Sequence, residues 1–486
     1  MTVTFSPADW AVVIVYFASV VFVGFRAARR ARGPIDEYLV AGRTLTLPIF
    51  VATLVSTWYG GILGVGEFSY RYGISNWFIF GVPYYIFAVI FAIFLAPKVH
   101  NAKLHTIPDK LRETYGEATA RMGSFITLLI VTPAPYVLMV GVLVQMLSGW
   151  SLAVSVGFTT VVSIAYLYAG GLHSDVRTNS LEFILMYIGF GVMLPYCYIH
   201  YGGLPFIESH VPPGHLTITG GNSWQYIIAW FFIASLTLID PAFHQRCYAA
   251  KSGAVARYGI LVSTIFWLFF DFMTSTTGLY ARAILPHLSD PTMSYPALAQ
   301  VVLPGFLKGL FFVGMLASIM ASLESLTFIS AVTIGKDILF SFFHKNDSAV
   351  DAKSKIMRYS HIGIFVTAAI SIAITLLVPS VIQIWYDLGA VFIPGLLIPL
   401  LSSYYPKLQV SPRYIFLSMT SGWVTSLLWL FSGMAGHDAS SSSYLFNIQP
   451  MYPGLFFSAA FYSIGFAKKA KEASEVSGVS SVADEK

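Results

Sequence analysis

Long apolar runs recur along almost the whole chain, and they constrain its fold more than any other feature. Thirteen of them, bounded by charged or turn-forming residues, lie near 8–25, 47–68, 77–97, 123–147, 151–170, 179–199, 224–243, 259–281, 306–332, 360–379, 381–402, 414–433 and 450–466. A helix that crosses a bilayer needs about 20 apolar residues. Only 10% of the 486 residues are charged, against roughly 25% in soluble proteins. The pattern predicts an all-α integral membrane protein with about 13 transmembrane helices and excludes a soluble enzyme.

The basic residues are distributed unevenly between the two ends of these runs. If the segment after the first run is cytoplasmic, 25 of the 28 Lys and Arg residues fall on the cytoplasmic side, and Arg71, Arg282 and Lys308 fall outside. The positive-inside rule then predicts an external N-terminus and a cytoplasmic C-terminus. No organelle-targeting segment is evident, so we expect a plasma membrane, most simply a bacterial inner membrane.

Two runs carry polar residues at the depth where a membrane helix is usually apolar. The run 47–68 contains Ser-Thr-Trp-Tyr-Gly-Gly at 56–61, where paired glycines weaken a helix. The run 306–332 presents Ser318, Ser322 and Ser325 on one helical face. Hydroxyls opposite unwound backbone carbonyls form an oxygen-rich site that suits an alkali cation. Small residues also favour close helix packing, and spacing alone leaves both interpretations open.

Carboxylates inside the apolar runs are a second functional signal, because a charge at that depth costs at least ~2.5 kcal/mol. The acids within or at the edge of runs are Glu67, Glu182, Asp271, Glu324 and Asp387. Asp271 and Glu324 are candidates for proton or ion coupling. Protonation, or pairing with a neighbouring helix, would explain each acid without a function.

Motifs of ATP-driven transporters and metalloenzymes are missing from the sequence. It has no glycine-rich run ending in Gly-Lys-Ser/Thr and no His-Glu-x-x-His. His173 and Asp175 come closest to a catalytic pair, and we expect them to form a surface pair after the run 151–170. We therefore expect neither an enzyme nor a nucleic-acid-binding protein.

Five short segments are informative in combination. They are Asp-Glu-Tyr-Leu-Val-Ala-Gly-Arg at 36–43, Thr-Ile-Pro-Asp-Lys-Leu-Arg-Glu-Thr-Tyr-Gly at 106–116, Gly-Gly-Leu at 170–172, Gln-Arg-Cys-Tyr-Ala-Ala-Lys-Ser at 245–252, and the serine-rich segment 314–325 followed by Lys-Asp-Ile at 336–338. In this order, over about residues 1–340, they resemble the sodium/solute symporter family, which includes the sodium/proline and sodium/glucose symporters.

The resemblance implies a five-plus-five inverted repeat with discontinuous helices. Residues 47–199 would form the first five-helix repeat and 200–402 the second. Residues 1–46 would add the first helix and a cytoplasmic loop, and 403–466 two further helices. The cytoplasmic tail 467–486 is rich in Ser, Glu and Lys, a composition typical of disorder.

Matched position by position, the resemblance implies a Na⁺ site between the second and ninth helices. Its ligands would be the backbone carbonyls of Val55, Trp58 and Ser318 and the hydroxyl of Ser322. Ala321 stands where the family has a second hydroxyl, so one oxygen ligand is lost. Asn179 stands where the family usually has an acid, and we therefore expect no second sodium.

The resemblance also implies a solute cavity at the helix breaks, lined by Thr57, Tyr59, Thr237 and Asp387. An acid beside Trp385 and Tyr386 would suit an ammonium or hydroxylated solute.

The sequence thus predicts a secondary active transporter in a lipid bilayer, moving a small organic solute with Na⁺ by alternating access. Two alternatives stay open: a proton-coupled or uncoupled transporter of the same fold, and a solute sensor without transport. Proton coupling predicts uptake that follows ΔpH and persists without Na⁺. The identity of the solute is not encoded in the fold.

Overall fold

The computed structural model describes residues 3–29, 34–343, 349–378, 381–434 and 444–483, which form helices joined by turns. Ten of the described helices are long and apolar enough to cross a membrane. They are Pro7–Ala28, Trp77–Ala102, Glu117–Ser148, Gly170–Tyr201, Trp224–Ala249, Gly253–Ile284, Leu307–Phe343, Ala352–Leu377, Val381–Ser403 and Pro412–Gly433. A bent pair, Leu47–Trp58 and Ile62–Tyr72, adds an eleventh crossing when counted as one. The predicted all-α, multi-pass architecture is confirmed.

Two of the 13 expected crossings are not among these helices. The run 151–170 forms the first part of the helix Leu152–Tyr201, which kinks at Gly171, where φ is +53°. The run 450–466 begins the helix Met451–Ala483. This helix continues through the segment 467–483, whose first part, Ala-Lys-Lys-Ala-Lys-Glu-Ala at 467–473, consists of strong helix formers.

The helix Leu307–Val332, called here the central helix, lies at the centre of the molecule. In the crossing that contains it, 94% of the most apolar window is buried, against 28% in Pro7–Ala28. A Cβ added to Gly189 would lie 2.6 Å from the Cα of Gly314. Such close backbone contact between membrane helices requires small residues. The serines of the central helix are therefore enclosed by protein.

The first helix break lies between Leu47–Trp58 and Ile62–Tyr72, which are bent by 59°. A Cβ on Gly60 would lie 2.0 Å from Ser322 Oγ, and one on Gly61 would lie 2.0 Å from the ring of Trp385. Only glycine allows other elements to approach the backbone so closely. The discontinuous helix expected in the run 47–68 is present at Tyr59–Gly61.

A second break interrupts Trp224–Ala249. Ile239 and Asp240 leave the helical conformation, and the Oδ1 atom of Asp240 accepts hydrogen bonds from the backbone N–H groups of Ala242 at 2.7 Å and Phe243 at 3.0 Å. Pro241 occupies the first helical position, where its missing N–H costs nothing. A new half-helix therefore begins at a buried carboxylate.

Segments that the charge asymmetry assigns to the same side of the membrane contact one another. The guanidinium of Arg43 donates to the carbonyls of Lys103 and Tyr248, each at 3.0 Å. At the opposite end, the guanidinium of Arg282 lies 5.0 Å from the ring centroid of Tyr70. These contacts therefore agree with the predicted assignment of the loops to the two sides of the membrane. Which end faces the cytoplasm stays a prediction.

Candidate solute and ion site

A cavity of about 180 Å³ is lined by residues from both helix breaks. A cavity of about 150 Å³ in another protein holds benzene, so this one has room for a small organic solute. Its aromatic and acidic lining residues are Trp58, Tyr59, Phe80, Tyr84, Tyr85, Tyr136, Trp230, Trp267, Trp385, Asp240 and Asp271. A concave site with mostly apolar walls and a few polar groups is typical of ligand binding.

Asp271 projects from the helix Gly253–Ile284 toward the first break. Its two carboxylate oxygens accept hydrogen bonds from the hydroxyls of Tyr59 and Tyr85. The Tyr59 hydroxyl also lies 2.9 Å from Thr274 Oγ1. The fold thus brings together Tyr59, expected at the solute site, and Asp271, expected in ion coupling.

Asp240 lines the same cavity and is 8% exposed. Its Oδ1 atom caps the half-helix, whereas no described residue donates a hydrogen bond to its Oδ2 atom. None of the described lining residues is Lys, Arg or His. The described part of the cavity wall therefore carries two carboxyl groups and no basic side chain.

The expected ion site lies where the central helix meets the first break. The Ser322 hydroxyl donates to the carbonyl of Thr57 at 2.5 Å. The carbonyl of Val55 accepts from the backbone N–H of Tyr59 at 3.3 Å, a weak bond that marks the end of the helix. The Ser318 hydroxyl turns back to the carbonyl of Gly314 at 3.1 Å. The two elements that carry the predicted ligands are thus in direct contact, and coordination of Na⁺ by them stays a prediction.

A buried ion pair adjoins this contact. Arg246 Nη2 lies 2.9 Å from Asp175 Oδ2, 2.7 Å from Ser325 Oγ and 3.0 Å from Thr57 Oγ1. Asn179 Nδ2 donates to the hydroxyls of Thr57 and Ser325 at 3.1 Å and 3.0 Å. Arg246 and Asp175 have no exposed side-chain surface. This polar network connects the first break, through Thr57, and the central helix, through Ser325, with the buried ion pair.

The expectation that His173 and Asp175 form a surface pair is wrong. Asp175 is fully buried against Arg246, and His173 Nε2 lies instead 2.7 Å from Glu37 Oε2. Asp175 lies one helical turn before Asn179, so a carboxylate reaches the network although position 179 carries an amide. Sequence reasoning missed the role of Arg246, whose only signal is its place in the segment 245–252.

Two residues expected at the solute site are not in the cavity wall. Thr237 donates to the carbonyl of Ala234 in its own helix at 2.9 Å. Asp387 accepts from Gln383 Nε2 at 2.7 Å, whereas its neighbour Trp385 does line the cavity. Substrate contacts by Thr237 and Asp387 stay predictions that the cavity does not support.

Glu324 lies on the central helix, outside the cavity lining. It is fully buried, and its Oε2 atom accepts from Thr178 Oγ1 at 2.8 Å. This contact agrees with the alternative stated in the sequence analysis, in which pairing with a neighbouring helix explains the buried acid without a function. A role in ion coupling stays a prediction for Glu324.

Comparison with known proteins places these elements in a family. The model of the sodium:solute symporter family matches residues 38–409. The chain is 26% identical over 394 residues to sodium/glucose cotransporter 4 of Danio rerio, covering 69% of this chain and 58% of that protein. It is 22% identical over 481 residues to the high affinity choline transporter 1 of Homo sapiens, covering 91% and 79%. The chain thus spans less than two thirds of the length of the first relative, and both relatives are transporters, not enzymes.

A solved structure shows the same fold over nearly the full length. The substrate-bound outward-open state of a Na⁺-coupled sialic acid symporter aligns with a TM-score of 0.76 at 15% identity, covering 96% of this chain and 97% of that one. The resemblance inferred from five short segments is confirmed by the family match, which covers more than half of the sequence. The chain belongs to the sodium:solute symporter family.

Proposed function

We propose that this chain is a secondary active transporter that carries a small organic solute together with Na⁺ by alternating access. One contact supports this most directly: the Ser322 hydroxyl reaches the Thr57 carbonyl at the helix break. Carbonyls at such breaks supply ion ligands in transporters built from discontinuous helices. Family membership supports Na⁺ as the coupling ion.

In this proposal, the carbonyls of Val55, Trp58 and Ser318 and the Ser322 hydroxyl bind Na⁺. Gly60 permits the arrangement, because any side chain there would collide with Ser322. Ala321 offers no side-chain oxygen, so water or another oxygen-bearing group replaces this ligand. We place the protein in a plasma membrane, and the charge asymmetry orients it with the N-terminus outside.

Solute and ion are coupled because they share the first break. Thr57, Trp58 and Tyr59 line the cavity, while the carbonyl of Thr57 accepts from the central helix. Solute in the cavity and Na⁺ at the break therefore favour the same arrangement of residues 57–61. Binding of one ligand then raises the affinity for the other by the same factor.

Thermal unfolding of the purified protein tests the coupling ion without a known solute. NaCl is compared with KCl at equal ionic strength and at two pH values. At 100 times its dissociation constant, Na⁺ should stabilise the protein by about 2.7 kcal/mol. Equal stability in both salts, with stabilisation that follows pH, would favour proton coupling through Asp271 or Glu324 instead.

Two variants test whether the stability difference between NaCl and KCl arises at the proposed Na⁺ site. Ser322→Ala should abolish the difference between NaCl and KCl. Ser371→Ala is the matched control, because its buried hydroxyl donates to the Thr367 carbonyl within its own helix at 2.8 Å. It should keep the difference. Loss in both variants would show that the effect does not come from the proposed site.

A further inference from the structure

We propose that the solute of the cavity is a compact organic cation, bound by Asp240 and Asp271 and enclosed by aromatic rings. This inference rests on the proposed function and specifies the chemical class of its solute. The positive charge of the solute is then recognised by two acids in the cavity wall. Asp387, which the sequence suggested for this role, lies outside that wall.

The charges around the cavity favour a cation. Two carboxyl groups line it, and none of its described lining residues is basic. Arg246, which contacts the nearby Thr57, is already paired with Asp175 at 2.9 Å. A buried charge without a partner is costly, and most costly at membrane depth. A cationic solute in the cavity would compensate for these carboxylates.

The hydrogen bonds of the two acids leave a place for such a solute. Tyr59 and Tyr85 donate to Asp271 and fix the position of its carboxylate. Asp240 uses one oxygen as a helix cap, and no described residue donates to the other. A protonated amine can donate to this oxygen, and a quaternary ammonium can contact it through its methyl groups. An anionic solute would be repelled by both acids.

The aromatic walls suit the same class. The ring centroid of Trp58 lies 5.2 Å from that of Tyr84 and 5.8 Å from that of Trp267. On another wall, Tyr136 and Trp385 are 6.3 Å apart. A cation within about 6 Å of an aromatic face is attracted by the ring, and quaternary ammonium groups are bound in this way. The volume of about 180 Å³ limits the cation to a small one.

Ligand binding to the purified full chain in NaCl tests the inference. The probes are tetramethylammonium, choline, ethanolamine and guanidinium, with 3,3-dimethylbutan-1-ol as the neutral isostere of choline. Tryptophan fluorescence and thermal unfolding report binding, because Trp58, Trp230, Trp267 and Trp385 line the cavity. At least one cation should bind, and choline should bind at least tenfold more tightly than its isostere. Equal binding of the isostere, or binding of none of the four cations, would overturn the inference.

Variants of the two acids test whether they bind the cation. Asp240→Asn retains a helix-capping side chain, and Asp271→Asn retains the shape of the carboxylate. Each should weaken cation binding at least tenfold. Glu182→Gln is the control: Glu182 is fully buried, lies 2.9 Å from the Tyr16 hydroxyl and is outside the cavity lining. It should bind cations as the parent does. Unchanged affinity in both Asp variants would contradict the inference.

The Na⁺-specific stabilisation, measured on the same samples, separates the two proposals. If it persists while cations fail to bind, only the solute class is wrong. If it is absent from the parent protein, the proposed coupling itself fails. Its retention in each Asp variant also shows that the variant is folded.

Discussion

The guanidinium of Arg246 lies 2.9 Å from the carboxylate of Asp175, and neither side chain is exposed to solvent. The same nitrogen of Arg246 reaches Ser325 on the central helix and Thr57 at the first break. The ion pair therefore links three elements at the place where ion and solute are proposed to bind. Removing either partner would leave the other as an uncompensated buried charge.

We expect Arg246→Gln or Asp175→Asn to destabilise the protein by about 3–5 kcal/mol, the usual cost of breaking a buried ion pair from one side. The double variant should cost less than the sum, because no buried charge is left unpaired. Denaturant unfolding of the four proteins measures this coupling. Additive losses would show that the two residues act independently.

Ala321→Ser should raise the affinity for Na⁺ several-fold, because it restores an oxygen ligand beside Ser322. The measurement is the Na⁺ concentration that gives half of the thermal stabilisation. Ala321→Cys is the control of similar size, since a thiol is a poor ligand for a hard cation. The same shift in both variants would mean that the added volume, and not the oxygen, is responsible.

Gly60→Ala should weaken Na⁺ binding. The Na⁺ concentration that gives half of the thermal stabilisation should rise at least tenfold. The added Cβ would lie 2.0 Å from Ser322 Oγ and 2.6 Å from the ring of Tyr136, so the break must move away from the central helix. Gly157→Ala is the matched control, because no heavy atom lies within 4 Å of a Cβ there and Ala favours a helix over Gly by about 1 kcal/mol. If Gly60→Ala binds Na⁺ normally, close approach of the two elements is not required.

His105 lies outside the crossings, with its Nε2 atom 2.7 Å from Asp36 Oδ1. Burial and the positive charge of Lys336 lower the pKa of His105 below its usual 6.5, although Asp36 and Asp109 oppose the shift. Below pH 6.5 the unfolded chain therefore binds more protons at this residue than the folded one, and stability falls as the pH falls. Unfolding temperatures from pH 8 to pH 5 should decrease less in His105→Gln than in the parent. Parallel curves would contradict this prediction.

Local properties of the sequence indicated the two elements of the proposed ion site. The runs 47–68 and 306–332 were recognisable because a bilayer requires long apolar helices. Gly60 and Gly61 marked the break, since the effect of glycine on a helix does not depend on distant residues. The serine spacing predicted one face, yet the fold gives each hydroxyl a different partner: Gly314 for Ser318, Thr57 for Ser322, and Asp175 for Ser325.

Contacts between distant segments were decided only by packing. Asp175 and Arg246 are 71 residues apart, and Tyr59 and Asp271 are 212 apart. Neither separation carries information about distance in space. Asp387 shows the same limit, because the sequence placed it near aromatic residues but could not indicate whether its side chain faces the cavity.

The sequence by itself therefore determined the membrane environment, the family and the first break, because each depends on composition, helical periodicity or a short motif. The tertiary structure alone decided which acids line the cavity and which acid is paired with Arg246. Those relationships depend on how the helices rotate and cross, and that is set by the combined packing of all of them.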